Sequence, residues 1–345
     1  MEGRIAAVNV GPGDRMMSMT NTAILICGHG SRDPDAVAEF ASMSDKLRRR
    51  LPAHAVGHAF LEFARPVIRE GLEALKAAGA TRILAQPVML FAAGHVKNDL
   101  PWEINSFAAE NPDIAIEYGR ELAVDVKLLA AAKDRIAAAE AKAGPAVERG
   151  DTLLLVVGRG TNDPDANSNV AKVARMLWEG MRFGWTEIAY SGVTSPRVDA
   201  ALDRAVRLGF RRIIVFPYFL FTGVLVKRIY EQTDAAAAAH PDIQIVKAEY
   251  LSDHPLVLDA LAERLTEISS GSNVMNCLMC KYREQVIGYE ADRGAAQAGH
   301  HLHVRGIGVG AHAHGQGHHD HGHGHDHGHD HDHDHGHDHP HPPHR

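Results

Sequence analysis

The chain has 345 residues, of which 45% are hydrophobic and 23% are charged, so it can build more than one packed core and is not disordered throughout. Its net charge of −7 lacks the basic excess that binds nucleic acid or anionic membranes. No apolar run reaches membrane-spanning length, and three cysteines are too few for a disulfide framework. We therefore expect a cytoplasmic protein.

Short apolar runs and longer amphipathic stretches alternate through the first half of the chain. Residues 1–21 lack the continuous apolar segment of a signal peptide and are predicted to be a disordered leader. The predicted strands that follow are 23–27, 56–61, 83–88 and 114–118, with helical patterns between them that include 37–50 and 67–79. Such alternation is typical of a parallel sheet with helices on both faces.

The same scheme is repeated in the second half, with predicted strands at 153–157, 187–191, 213–219 and 243–247. At an offset of 130, seven of the thirteen residues in 24–36 (ILICGHGSRDPDA) are identical to their counterparts. We predict two tandem doubly wound α/β domains, residues 22–145 and 152–269, related by a pseudo-twofold axis. Ligands of such sheets bind beyond the carboxyl ends of the strands, so a cleft is expected there.

Three side chains with metal or proton chemistry follow the first three strands. His29 follows the first strand, Glu62 ends the second, and His95 follows the third. Strands one and three are commonly neighbours, so the two imidazoles can converge on a transition metal or act as proton acceptors near pH 7. The Glu62 carboxylate could orient an imidazole or take a proton itself.

The repeat provides an internal control for these residues. Arg159, Leu225 and Gly192 stand where the second half would need His29, His95 and Glu62. Because all of these residues differ together between the halves, they indicate a single site on the N-terminal domain. Substitutions of Arg159 or Leu225 are therefore expected to affect activity far less than substitutions of His29 or His95. Polar residues that border the same loops would suit a polyanionic substrate: Ser31, Arg32, Arg65 and Lys97.

Cys277 and Cys280 lie in a compact segment, residues 270–293, as MNCLMC. A CxxC pair can be a redox pair, half of a zinc site or half of an iron–sulfur site. Two chains that each donate both thiolates would complete four ligands, which would make the protein a homodimer.

The last segment, residues 294–345, is rich in Gly, Asp and His and is predicted to be disordered. Nineteen of the 25 histidines lie between His300 and His344, many alternating with Asp or Gly. These imidazoles should bind Co²⁺, Ni²⁺, Cu²⁺ and Zn²⁺ with little selectivity. The candidate ligands are His318, His319, His321, His323, His325, His327, His329, His331, His333, His335, His337 and His339.

These motifs together resemble the class II tetrapyrrole chelatases, and most closely the long-form sirohydrochlorin cobaltochelatases (CbiX type) of anaerobic cobalamin synthesis. The resemblance rests on GHGSRDPDA after the first strand, FLEFARP with Glu62, and LFAAGHVKNDLP with His95. A His-depleted second copy, an MxCxxC motif and a His-rich tail narrow it to the long form. It extends over residues 22–345.

The resemblance implies two flavodoxin-like domains with a sirohydrochlorin cleft between them and insertion of Co²⁺ without ATP. His29 and His95 would bind the incoming metal and accept pyrrole protons, and Glu62 would assist. Cys277 and Cys280 would hold an iron–sulfur centre. Iron insertion for siroheme and nickel insertion remain alternatives, because His ligands accept all three metals. A metal-storage or delivery protein remains the non-enzymatic alternative.

Overall fold

The computed structural model describes residues 21–296. The predicted leader, apart from its last residue, and the predicted tail histidines lie outside this range. Within it, no helix combines the length and the apolar character that crossing a membrane requires.

The N-terminal half is a four-stranded parallel sheet in the order β2-β1-β3-β4. Its strands are β1 (Thr22–Gly28), β2 (Ala55–Phe60), β3 (Arg82–Pro87) and β4 (Ala115–Tyr118). Its helices are α1 (Pro34–Arg50), α2 (Ile68–Ala77), α3 (Leu100–Glu110) and α4 (Val126–Lys142). A π-helical turn, His95–Asp99, precedes α3. The adjacency of β1 and β3 confirms the expectation that their loops share one edge.

The C-terminal half repeats this topology in the order β6-β5-β7-β8. Its strands are β5 (Thr152–Gly158), β6 (Trp185–Tyr190), β7 (Arg212–Pro217) and β8 (Gln244–Lys247). Its helices are α5 (Pro164–Met181), α6 (Val198–Arg207), α7 (Val224–Ala239) and α8 (Pro255–Ser270). The predicted fold class, two tandem parallel α/β sheets, is confirmed.

Both halves begin their first helix in the same way. Asp33 accepts a hydrogen bond from the Asp35 N–H and so caps α1, with Pro34 in the first turn. Asp163 caps α5 with the same chemistry. One apolar cluster contains buried residues of both halves, including Ile24 and Leu154, so the halves share a core.

Two reciprocal ion pairs join the halves. Lys97 Nζ lies 2.8 Å from Asp163 Oδ2, and Lys227 Nζ lies 2.7 Å from Asp33 Oδ2. Lys227 and Asp163 are the offset-130 counterparts of Lys97 and Asp33. Each half thus supplies one lysine and one aspartate at equivalent positions, and each lysine pairs with the aspartate of the other half. Such reciprocal contacts are the signature of a twofold relation.

The segment after α8 breaks this symmetry. It covers one ion pair, because Asn276 donates to Asp165 Oδ1 at 3.1 Å and Lys281 packs nearby with its Nζ 3.5 Å from the Asn162 carbonyl. As a result the Lys97 side chain is 5% exposed, whereas that of Lys227 is 48% exposed.

Candidate metal site

His29, Glu62 and His95 meet at the carboxyl edge of the first sheet. Each can offer one ligand atom such that all three atoms lie within 4.8 Å of one another. His29 follows β1 directly, Glu62 lies two residues beyond β2, and His95 opens the π-helical turn after β3. The sequence-predicted trio is therefore a single cluster, as the neighbouring strands require.

Gly30 makes the approach of the His29 and Glu62 loops possible. Its φ is +95°, and a Cβ built there would lie 1.7 Å from the Glu62 carbonyl oxygen. The loops are then linked by the Glu62 N–H, which donates to the His29 carbonyl at 3.0 Å. Only glycine fits this position.

His29 presents Nε2 to the cluster. Its Nδ1 lies 2.9 Å from the Gly30 carbonyl, which can only accept, so Nδ1 carries the proton and Nε2 carries the lone pair of the neutral ring. Nε2 lies 3.2 Å from Glu62 Oε1 but is buried without a well-oriented hydrogen bond to any residue in 21–296. A buried nitrogen of this kind is what a metal ion would satisfy.

The surroundings of His29 keep it neutral. Its pKa is lowered to about 4, chiefly by burial and further by the positive charges that a protonated His95 and Arg159 place nearby, against the opposing effects of the Gly30 carbonyl and the Glu62 carboxylate. At pH 7 the Nε2 lone pair is therefore not lost to a proton, and binding a divalent ion there releases none.

His95 is oriented by Asp99, a residue that the sequence analysis did not single out. Its Nδ1 donates to Asp99 Oδ2 at 2.6 Å, which again leaves the lone pair on Nε2. The Asp99 side chain is 6% exposed, and Asn98 donates to its Oδ1 at 2.9 Å. A carboxylate behind a ligating imidazole fixes its tautomer and raises its basicity.

The π-helical turn brings His95 and Asp99 together. The Leu100 N–H bonds to the His95 carbonyl five residues earlier, so one turn holds more than four residues and residues four apart nearly align. The second half has Leu225 and Ile229 at these positions and forms an ordinary α-helix there. This second joint difference between the halves is the signal that could have identified Asp99.

The cluster opens into a cavity of about 420 Å³ lined by both halves. Its wall is mostly apolar and includes six phenylalanines. Phe40 and Phe60 are buried, and the four that are partly exposed could stack against a flat ligand, namely Phe63, Phe91, Phe219 and Phe221. The predicted cleft beyond the strand ends is therefore present. Arg159, the counterpart of His29, also lies on the cavity wall, although the sequence predicted only a small effect of this residue on activity.

The predicted substrate-binding residues fall into two groups. Ser31 and Arg32 line the cavity, with the Arg32 guanidinium 4.9 Å from the centre of the Phe63 ring. Arg65 lies off the cavity wall with its side chain 60% exposed and pairs with Glu70 at 3.4 Å. Lys97 is also absent from the wall, because its ammonium group is held in the buried pair with Asp163.

Cys277 and Cys280 lie in and just after a short 3-10 turn, half-buried and with free thiols. Neither belongs to a group of three or more metal-ligating side chains within residues 21–296. The third cysteine, Cys27, is buried in β1, where burial raises the pKa of its thiol. Residues 21–296 therefore offer two partly exposed cysteines and no complete cluster-binding set.

Comparison with known proteins gives the following similarities. The CbiX family model matches residues 23–139 and again residues 153–268. A sirohydrochlorin cobaltochelatase of Priestia megaterium is 36% identical over 263 residues, which are 76% of this chain and 84% of that protein. A sirohydrochlorin ferrochelatase of the same organism is 29% identical over 252 residues, 73% of this chain and 92% of that protein. The structure of SirB from Bacillus subtilis with Fe³⁺ covers 73% of this chain and 98% of its own at 28% identity, with a TM-score of 0.65.

Proposed function

The chain belongs to the CbiX family, and on that premise we propose that it inserts Co²⁺ into sirohydrochlorin, without ATP, in anaerobic cobalamin synthesis. It is a tetrapyrrole metal chelatase. The observation that carries the proposal is the convergence of His29, Glu62 and His95, with both histidines on the wall of a largely apolar cavity. The identity to a cobaltochelatase exceeds that to the ferrochelatase, which favours cobalt over iron.

Insertion exchanges one divalent cation for two pyrrole N–H protons, so the site must release a metal and take up protons. The Nε2 atoms of His29 and His95 would hold Co²⁺ as it loses water, together with the Glu62 carboxylate. As Co²⁺ passes to the macrocycle nitrogens, each imidazole regains a lone pair that can accept a pyrrole proton. Two imidazoles thus match the two protons that the macrocycle loses.

His29 would pass its proton on rapidly. Its lowered pKa makes the imidazolium more acidic than an ordinary one, and Glu62 Oε1 lies 3.2 Å from the same nitrogen. Asp99 would keep His95 in the tautomer that presents Nε2. The two imidazoles are neutral ligands and would bind Co²⁺ weakly enough for the macrocycle to remove it. Ser31 and Arg32 would contact the substrate from the cavity wall.

The test is the visible spectrum of metal-free sirohydrochlorin during incubation with the protein and Co²⁺. His29→Ala and His95→Ala should each lower the rate by orders of magnitude with an unchanged circular dichroism spectrum, and Leu225→Ala is the matched control at the symmetry-related position. Near-normal turnover by both His variants would contradict the proposed site. Parallel assays with Fe²⁺ and Ni²⁺ decide between the metals.

We propose that Cys277 and Cys280 bind an iron–sulfur centre shared with a second copy of the chain. The support is that both thiols are half-exposed and that one chain supplies two of four thiolates. Protein purified without oxygen should contain iron and sulfide and run as a dimer, and Cys277→Ser should lose both properties. An iron-free monomer would contradict this.

We propose that the His-rich residues 300–345 raise the local Co²⁺ concentration. An unperturbed imidazole is mostly neutral at pH 7 and protonated below about pH 6, so these residues would bind metal at pH 7 and release it in acid. A chain ending at Ala298 should insert cobalt more slowly than the full chain when cobalt is scarce and equally fast when it is plentiful. Equal rates at limiting cobalt would leave storage or detoxification as the tail's role.

A further inference from the structure

Arg159 occupies the second-half counterpart of the His29 position. The Gly192 N–H donates to the Arg159 carbonyl at 2.9 Å, as the Glu62 N–H does to the His29 carbonyl at 3.0 Å. The glycine that follows has a positive φ in both loops, +82° after Arg159 and +95° after His29. The backbone therefore sends both side chains towards the same cavity, and both line it.

The charge of Arg159 has no close partner in the described part of the chain. Gly192 replaces Glu62 in the second half, so the loop that packs against Arg159 holds no carboxylate. Among residues 21–296 the guanidinium makes no salt bridge and no hydrogen bond, although the Glu62 charge attracts it across the cavity. In contrast, both interface lysines, Lys97 and Lys227, are paired.

An accessible guanidinium on a largely apolar wall is suited to an anionic group of a ligand. Its planar fork can bind a carboxylate through two parallel hydrogen bonds, and the low polarity around it strengthens them. The apolar wall accepts the flat face of a macrocycle but does not fix its rotation in the plane. A cation at one point of the rim can fix it.

We propose that Arg159 binds a carboxylate substituent at the edge of the tetrapyrrole and thereby orients the macrocycle over His29 and His95. The inference rests on the proposed function, because it takes the cavity ligand to be a sirohydrochlorin-type polycarboxylate. It assigns the two halves different tasks at equivalent positions: His29 binds the metal, and Arg159 holds the macrocycle that receives it.

The test compares Arg159→Gln, Arg159→Lys and wild type in the full chain. Loss of a charge-assisted hydrogen bond weakens binding by roughly 10-fold or more, so Arg159→Gln should raise the KM for sirohydrochlorin by about that factor. The KM for Co²⁺ should stay at the wild-type value. Arg159→Lys should recover part of the loss, because it keeps the charge but not the fork.

The matched control is Arg207→Gln, which removes an exposed arginine of the same half that does not line the cavity. A thermal melt of each variant excludes misfolding. A second readout uses binding of a metal-free analogue whose carboxylates are amidated. Wild type and Arg159→Gln should bind this analogue equally, since the anionic partner is gone.

The outcomes separate the inference from the function on which it rests. If wild-type protein inserts no metal into sirohydrochlorin, the proposed function fails. If wild type is active but Arg159→Gln keeps the wild-type KM for sirohydrochlorin, or changes only the KM for Co²⁺, the assignment of Arg159 is overturned.

Discussion

Replacing Lys97 by Met separates two roles that a lysine near the site could have. The sequence places Lys97 among the substrate-binding candidates, whereas the structure buries it between the halves against Asp163 and Asp165, at 2.8 and 3.4 Å. Met has a similar length and no charge. Lys227→Met is the matched control, because Lys227 makes the symmetry-related pairs with Asp33 and Asp35.

The exposures set the expected magnitudes. The side chains of Lys97, Asp163 and Asp165 are 5%, 0% and 8% exposed, so removal of the cation leaves two carboxylates buried together. Loss of one partner of a buried pair costs about 3–5 kcal/mol. The Lys227 side chain is 48% exposed, and loss of such a pair costs about 0–1 kcal/mol.

The assay measures the free energy of unfolding of both variants in urea. The KM for sirohydrochlorin is then measured at urea concentrations at which both variants are still folded. We expect Lys97→Met to lose several times more stability than Lys227→Met and to keep the wild-type KM. Burial lowers the pKa of Lys97, but Asp163 and Asp165 raise it more, to a net value above 10.5. The difference should therefore persist from neutral pH up to that range and shrink only above it. A raised KM at wild-type stability would refute the structural role and restore the substrate-binding one.

Two further predictions concern the metal site. Asp99→Asn should lower kcat/KM for cobalt by about 10–100-fold, measured with free Co²⁺ fixed by a chelator buffer. His95 Nδ1 and Asn98 Nδ2 donate to different oxygens of Asp99, and in the amide one of these positions is an NH₂ group that cannot accept. Asp113→Asn, which changes an exposed acid, is the control, and an unchanged kcat/KM for Asp99→Asn would remove the positioning role. The pKa of His29 is lowered to about 4 in the folded protein, so as the pH falls this imidazole takes up a proton in the unfolded chain before it does so in the folded one. The free energy of unfolding of wild type should therefore fall relative to that of His29→Gln between pH 6.5 and pH 4. If the free energies of unfolding of the two proteins vary with pH in parallel, the pKa of His29 is not lowered by folding.

The sequence predicted most of the fold because its signals are local. Each first-half strand lies within one residue of its predicted bounds, since apolar runs bounded by helical patterns mark buried parallel strands. The site trio was also predictable, because the carboxyl ends of β1, β2 and β3 must share an edge.

Other features depend on how the halves pack, which local patterns do not encode. The partner of Lys97 lies 66 residues away in the other half. The segment with Cys277 and Cys280 covers one of two symmetry-related ion pairs and leaves the other open. The inward direction of Arg159 follows only once both loops are seen to face one cavity.

The repeat itself could have separated structural from functional residues more sharply. Lys97 and Asp33 recur in the second half as Lys227 and Asp163, and all four form the interface between the halves. The residues of the proposed metal site do not recur: His29, Glu62, His95 and Asp99 are replaced by Arg159, Gly192, Leu225 and Ile229. A twofold arrangement needs its interface residues twice, whereas one macrocycle needs one metal site, so divergence between copies marks the chemistry. The same reasoning applies to Arg159. Loss of a metal ligand from the second half would not by itself require a guanidinium at the cavity, so Arg159 marks a second position with its own function, which we propose is to bind the macrocycle.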